Sequence, residues 1–97
     1  CAQAGIPLVS FSSDLVFDGS AVRPYVETHI PSPACTYGAS KAEAERRVLA
    51  AHRQALMVRT SAFFGPWDRY NFAWGVLSAL ARGETFRACP NAVVSPT

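Results

Sequence analysis

Two short apolar runs flank one long helix-forming run, and this order constrains the fold more than any other feature of the sequence. Leu8-Val9-Ser10-Phe11-Ser12, opened by Ile6-Pro7, is rich in strand formers and short enough for a buried strand. Ala55-Leu56-Met57-Val58-Arg59-Thr60 reads as a second strand of the same kind. Between them lies Thr36 to about Arg53, a run rich in Ala, Glu and Arg with no proline. Thr36 or Ser40 is expected to cap this helix, and its acids precede the pair Arg46-Arg47, as the helix dipole prefers. Strand, long connection, helix, strand is the outline of a βαβ unit with parallel strands and a right-handed crossover. The expected class is therefore α/β.

The remaining segments read as connections and one more helix. Residues 1–5 look like a helix end stopped by Gly5. Residues 13–35 hold Gly19, Pro24, Pro31 and Pro33, a long irregular connection of the kind that is usually functional or disordered, with a turn at Val16-Phe17-Asp18-Gly19. A loop over 61–70 leads to Asn71–Arg82, which is apolar on more than one face and stops at Gly83. Such a helix suits burial on both sides, or an oligomer interface. Thr85 to Val94 is expected to hold one or two short strands around Pro90-Asn91.

Composition excludes several classes. With 49% hydrophobic and 16% charged residues, the chain is core-forming, not disordered. A net charge of +2 argues for neither nucleic acid nor an anionic membrane. No apolar run approaches the roughly 18 residues of a membrane span, and no signal peptide is visible. The cysteines, Cys1, Cys35 and Cys89, are odd in number and fit no zinc spacing, so no metal is expected. Free thiols in a reducing compartment, the cytoplasm, are the simplest account. Both ends look cut from something longer.

The chemistry centres on Tyr37-Gly38-Ala39-Ser40-Lys41. Residues at i and i+4 stack on one helix face. A lysine ammonium beside a phenol favours the phenolate, so such a pair can pass a proton to a carbonyl oxygen or take one from an alcohol. The same ammonium can hydrogen-bond a ribose hydroxyl. Alone the pattern is weak, because many helices carry it as a surface pair. Its context is stronger. In a parallel α/β sheet, ligands sit beyond the carboxyl ends of the strands. The first strand runs into Ser13-Asp14 at that edge, the helix starts there with Tyr37, and the second strand ends there at Arg59-Thr60-Ser61.

SFSSDLVFDG, PYVETHIPSP, YGASKAEAE, MVRTS, NF and SPT, in this order, resemble the dTDP-4-dehydrorhamnose reductase family of extended short-chain dehydrogenases, over nearly the whole chain. The resemblance implies the C-terminal half of a Rossmann-type doubly wound parallel sheet, with the start of a small substrate lobe. It implies NADPH- or NADH-dependent reduction of the 4-keto group of a nucleotide-linked 4-keto-6-deoxy sugar. Ser13 falls on the family's catalytic Thr, and Tyr37 and Lys41 on its catalytic Tyr and Lys. Ser13 would hydrogen-bond the keto oxygen, Tyr37 would protonate it, and Lys41 would hold the nicotinamide ribose. Asp14 and Asn71 are further substrate-binding candidates, and a homo-oligomer is expected by the same resemblance.

Two positions depart from the family pattern. Leu15 stands where Tyr is usual, and Ala62 where Trp is usual, both near the sugar nucleotide. No Gly-rich dinucleotide fingerprint is present, so residues 1–97 are expected to be a partial NAD(P)-binding domain with that loop upstream of Cys1, inactive alone.

Plainer roles compete at several positions. Asp14 and Asp18 suit turn capping, and His52 suits a helix C-terminus. Glu43 and Glu45 with Arg46 and Arg47 read as surface pairs. Arg59 suits a phosphate or a sheet-edge salt bridge equally, and Asn71 a nucleotide contact or a helix cap. The rival functions are a non-catalytic regulatory or interaction subunit of the same fold, and a related epimerase or dehydratase. Against the dehydratase, Asp14-Leu15 lacks the usual Asp-Glu pair.

Overall fold

Strands β1 (Val9–Ser13) and β2 (Leu56–Thr60) pair in parallel, from Val9 opposite Leu56 to Ser13 opposite Thr60. Helix α1 (Thr36–Ala51) is the crossover between them. The computed structural model describes residues 1–90 and divides the chain into a unit of Cys1–Thr60 and a second unit beginning at Ser61. The expected α/β class and parallel pairing are both present. β1 begins at Val9, one residue later than the apolar run, and takes in Ser13.

The cap of α1 differs from expectation. Cys35, not Thr36 or Ser40, precedes the helix with extended backbone, and its Sγ accepts the Gly38 N–H at 3.3 Å. A capping side chain must come from the last non-helical residue. Thr36 is already helical, and the Ser40 hydroxyl donates within the helix to the Tyr37 carbonyl at 2.7 Å. The helix also stops at Ala51, short of Arg53. His52 leaves helical backbone, and its Nε2 donates to the Ile6 carbonyl at 2.9 Å, so its place is fixed by a hydrogen bond.

The long connection is tied down by its own side chains. Ser13 caps a short 3-10 turn, Asp14–Val16, whose Val16 is fully buried. The Phe17 ring stacks on Tyr25 at 4.2 Å, and His29 packs edge-on to both rings. The Ser32 N–H donates to the Val16 carbonyl at 2.9 Å. Asp18 accepts from the Ser20 N–H, the Ser20 hydroxyl and the Tyr25 phenol. These bonds, the backbone one first, lower its carboxyl to about 2. Turn capping, the plainer role, is the one Asp18 takes.

In the second unit, α2 (Phe72–Ala81) follows Asn71 and gives way to Gly83 at φ 69°. Phe72 packs edge-on to Phe86 at 5.5 Å. Gly75 leaves room for that ring, since a Cβ there would come within 3.1 Å of Phe86 Cε2. Burial of α2 on both sides is not seen: Ala79 is buried, while Phe72, Leu77 and Leu80 are exposed. No strand forms over residues 85–90, against expectation. The rest of that segment, and Ser95-Pro96-Thr97, lie outside the described residues. Among the described residues, no helix is long and apolar enough to cross a membrane.

Candidate active site

The site is assembled at the carboxyl rim of β1 and β2. Gly38, the third residue of α1, meets the 3-10 turn there. A Cβ on Gly38 would run into the Leu15 carbonyl oxygen, and would lie 2.9 Å from the Leu15 carbonyl carbon and 3.0 Å from Pro33 Cβ. Only a residue without a side chain permits this approach. The contact lies one residue from Tyr37 and two from Ser13, so it draws the helix start and the strand end together.

Tyr37 remains 53% exposed, open to a ligand. The Lys41 ammonium lies 6.0 Å from the centroid of the Tyr37 ring and donates to the Phe11 carbonyl at 3.1 Å. That bond anchors the second turn of α1 to β1. Ser13 is buried, and its hydroxyl serves two neighbours. It accepts the Leu15 N–H at 3.2 Å and donates to Asp14 Oδ1 at 3.1 Å. The accepting role is structural; the proton is the part that a ligand oxygen could take over from Asp14. Ser13, Asp14, Tyr37 and Lys41 thus all belong to the first unit.

Sequence reasoning missed the role of one residue here. Glu45 was expected in a surface pair, but it is only 4% exposed and pairs with Arg59. The guanidinium forks onto both carboxylate oxygens, at 2.9 and 2.7 Å. The surface pairs form as expected only at Glu43, which holds both Arg46 and Arg47. Hydrogen bonds from Arg59, aided by the buried Ser12 hydroxyl, hold the Glu45 carboxyl below its ordinary value. Ser12 Oγ lies beside Glu45 without a hydrogen bond of full geometry. The i, i+4 spacing from Lys41 to Glu45 puts Glu45 on the Tyr37–Lys41 stripe, but spacing within the helix does not point to a partner on β2.

Asn71 lies in the second unit and acts as a helix cap. Its Oδ1 accepts the Trp74 N–H at 2.8 Å, and its Nδ2 donates to the Gly65 and Asp68 carbonyls. Ala62 lines a cavity of about 510 Å³ in that unit, together with Phe63, Tyr70, Phe72, Phe86 and Arg87.

The profile of the RmlD substrate binding domain matches residues 1–97. The chain belongs to that family. It is 34% identical over 90 residues to a dTDP-4-dehydrorhamnose reductase of Aggregatibacter actinomycetemcomitans, covering 93% of this chain and 30% of that protein. It is 42% identical over 88 residues to a dTDP-4-dehydrorhamnose reductase of Mycobacterium tuberculosis, covering 87% of this chain and 29% of that one. A methionine adenosyltransferase 2 subunit beta of Xenopus tropicalis is 41% identical over 68 residues, or 70% of this chain and 20% of that protein. The chain spans less than a third of the length of these relatives. No solved structure gives a significant match.

Proposed function

We propose that the full-length protein of this RmlD-family chain is an NAD(P)H-dependent reductase of the 4-keto group in a nucleotide-linked 4-keto-6-deoxy sugar. The carrying observation is the exposed Tyr37 phenol one turn from the Lys41 ammonium, beside the Ser13 turn, at the strand rim. The dTDP-sugar reductases among its relatives support the substrate class.

The residues present suit the nicotinamide end of the cofactor. An ammonium and a phenol at the strand rim match the hydroxyls of a ribose, and Tyr37 is open enough to share them. The bound nicotinamide supplies the hydride. Ser13 turns its proton from Asp14 to the keto oxygen and orients the sugar. Tyr37 gives its phenol proton to the same oxygen as charge develops there. Lys41 moves its ammonium from the Phe11 carbonyl to the ribose, and its charge favours the ionised phenol left behind. Asp14 accepts the Ser13 hydrogen bond until substrate replaces it. Asn71 is assigned to capping α2. We place the protein in the cytoplasm, where exposed thiols such as Cys1 and Cys35 stay reduced.

The likeness to a methionine adenosyltransferase subunit favours a second reading, a non-catalytic subunit of the same fold. NADPH oxidation by the full-length protein, given a dTDP-4-keto-6-deoxy sugar, separates the two. Oxidation that Tyr37→Phe abolishes supports the reductase; NADPH binding with no oxidation supports the subunit.

A further inference from the structure

One guanidinium in this chain, carried by β2 beside β1, engages two further segments that converge on the candidate site. Arg59 stands opposite Ser12 in the parallel register of β1 and β2, next to Ser13. Its Nε and Nη2 donate to both oxygens of Glu45 on α1. Its guanidinium carbon lies 5.0 Å from the centroid of Phe17, which stacks in turn on Tyr25. Ser13 is therefore bracketed. The residue before it is buried beside the Glu45–Arg59 pair, and Phe17, just past the 3-10 turn that Ser13 caps, rests on the same guanidinium.

The helix side of the pair points to the same place. Glu45 follows Lys41 by four residues and Tyr37 by eight, so the three form one stripe along α1. Helical side chains lean toward the helix N-terminus, which aims Glu45 back toward the rim. A planar fork engaged by a buried carboxylate permits little rotation, unlike a lysine ammonium. Its bidentate engagement with Glu45 also argues against a role as a phosphate ligand.

We propose that Arg59, oriented by Glu45, is a positioning residue that sets the Ser13 hydroxyl against the substrate keto oxygen. This rests on reading Ser13 as the group that touches that oxygen. Arg59 acts through Ser12 and Phe17 and does not meet the substrate itself. Small displacements at such a hydroxyl are costly, since a shift of about 1 Å can lower a rate by about 100-fold.

The test is a double-mutant cycle in the full-length protein, using Glu45→Gln, Ser13→Ala and the double variant, with NADPH and a dTDP-4-keto-6-deoxy sugar. Glu45→Gln is expected to lower kcat by about 10- to 100-fold while the Kd for NADPH changes by less than about twofold. Once Ser13 is gone, nothing remains to be positioned, so Glu45→Gln then lowers kcat by no more than about twofold further. Losses that multiply in the double variant, or a Glu45→Gln kcat equal to wild type, overturn the positioning role alone. Wild-type turnover that survives Ser13→Ala overturns the reading of Ser13 itself, and the positioning role with it. Should Glu45→Gln not fold, Arg59→Lys takes its place in the cycle. It keeps the charge but loses the fork and the broad contact with Phe17, and the same outcomes decide.

Discussion

Gly38 on α1 lies so close to Leu15 that any side chain at position 38 would collide with the Leu15 carbonyl. Two effects of Gly38→Ala oppose each other. Alanine favours a helix by about 1 kcal/mol over glycine in a helix interior, and by less in a first turn. The collision is with backbone, which cannot rotate away, and forced shifts of this kind cost about 1–3 kcal/mol or more. The collision should win. Gly38→Ala is expected to lower the thermal midpoint of the full-length protein, and to reduce turnover as the Ser13 turn is pushed from Tyr37. An unchanged midpoint would show that the turn gives way freely.

Tyr37→Phe should remove most turnover with little effect on stability. Tyr37 is half exposed, and among the described residues its hydroxyl bonds no other part of the fold, whereas a general acid contributes about 100- to 10,000-fold. Steady-state NADPH oxidation and a thermal melt, run side by side, check both halves. Near-normal turnover would mean that another group protonates the keto oxygen.

Lys41→Ala should act on two quantities at once. The ammonium is assigned to the ribose and sits 6.0 Å from the Tyr37 ring, so its loss should weaken NADPH binding and lower kcat together. Lys41 also bonds the Phe11 carbonyl, an exposed contact whose loss costs only about 0.5–1.5 kcal/mol. Fluorescence titration with NADPH measures the first effect. Binding as tight as wild type would remove Lys41 from the cofactor site.

The βαβ outline was legible because each element has its own period and composition, and because strand ends and helix start share one rim in any parallel unit. That Tyr37 and Lys41 lie one turn apart at the start of α1 was legible too, since helical spacing fixes it. The partnership of Glu45 was not. Its neighbours Arg46 and Arg47 offer local partners, and one-dimensional spacing cannot show that Glu45 faces the sheet while Glu43 faces solvent. The cap at Cys35 was hidden too, because a thiol is a weak acceptor and Thr36 and Ser40 are better-known cappers. The role of Gly38 depends on a contact 23 residues away in sequence, which spacing within the helix does not report.

Cys35→Ser should stabilise the protein. The Cys35 thiol caps α1 through a 3.3 Å contact with the Gly38 N–H, and a hydroxyl oxygen is a stronger acceptor at the same position. Good N-caps exceed poor ones by about 0.5–2 kcal/mol, and replacing a weak cap should recover about 0.5 kcal/mol or more. A rise in the denaturant midpoint with an unchanged slope is the expected result. A fall would mean that the thiol's packing outweighs its capping.

Glu45 should make stability depend on acid in a way that its amide does not. Arg59 holds the Glu45 carboxyl below its ordinary 4.5 in the folded chain. A carboxyl depressed by folding adds stability that is fully present above the unfolded value and is lost as pH falls through the folded one. In Glu45→Gln the Arg59 charge is left without its partner at every pH. Breaking a fully buried pair costs about 3–5 kcal/mol, and the partial exposure of Arg59 makes the cost here smaller near neutral pH. Below the folded value, wild-type Glu45 is itself neutral, and the two proteins become alike. Asp18 and Glu43, both held near 2, titrate in both proteins, so their contribution cancels in the difference. The gap in thermal midpoint between wild type and Glu45→Gln should therefore be widest at neutral pH and should close as pH falls below the ordinary carboxylate range. A gap that stayed constant through that range would mean that Glu45 is not a charged partner of Arg59 in the folded protein.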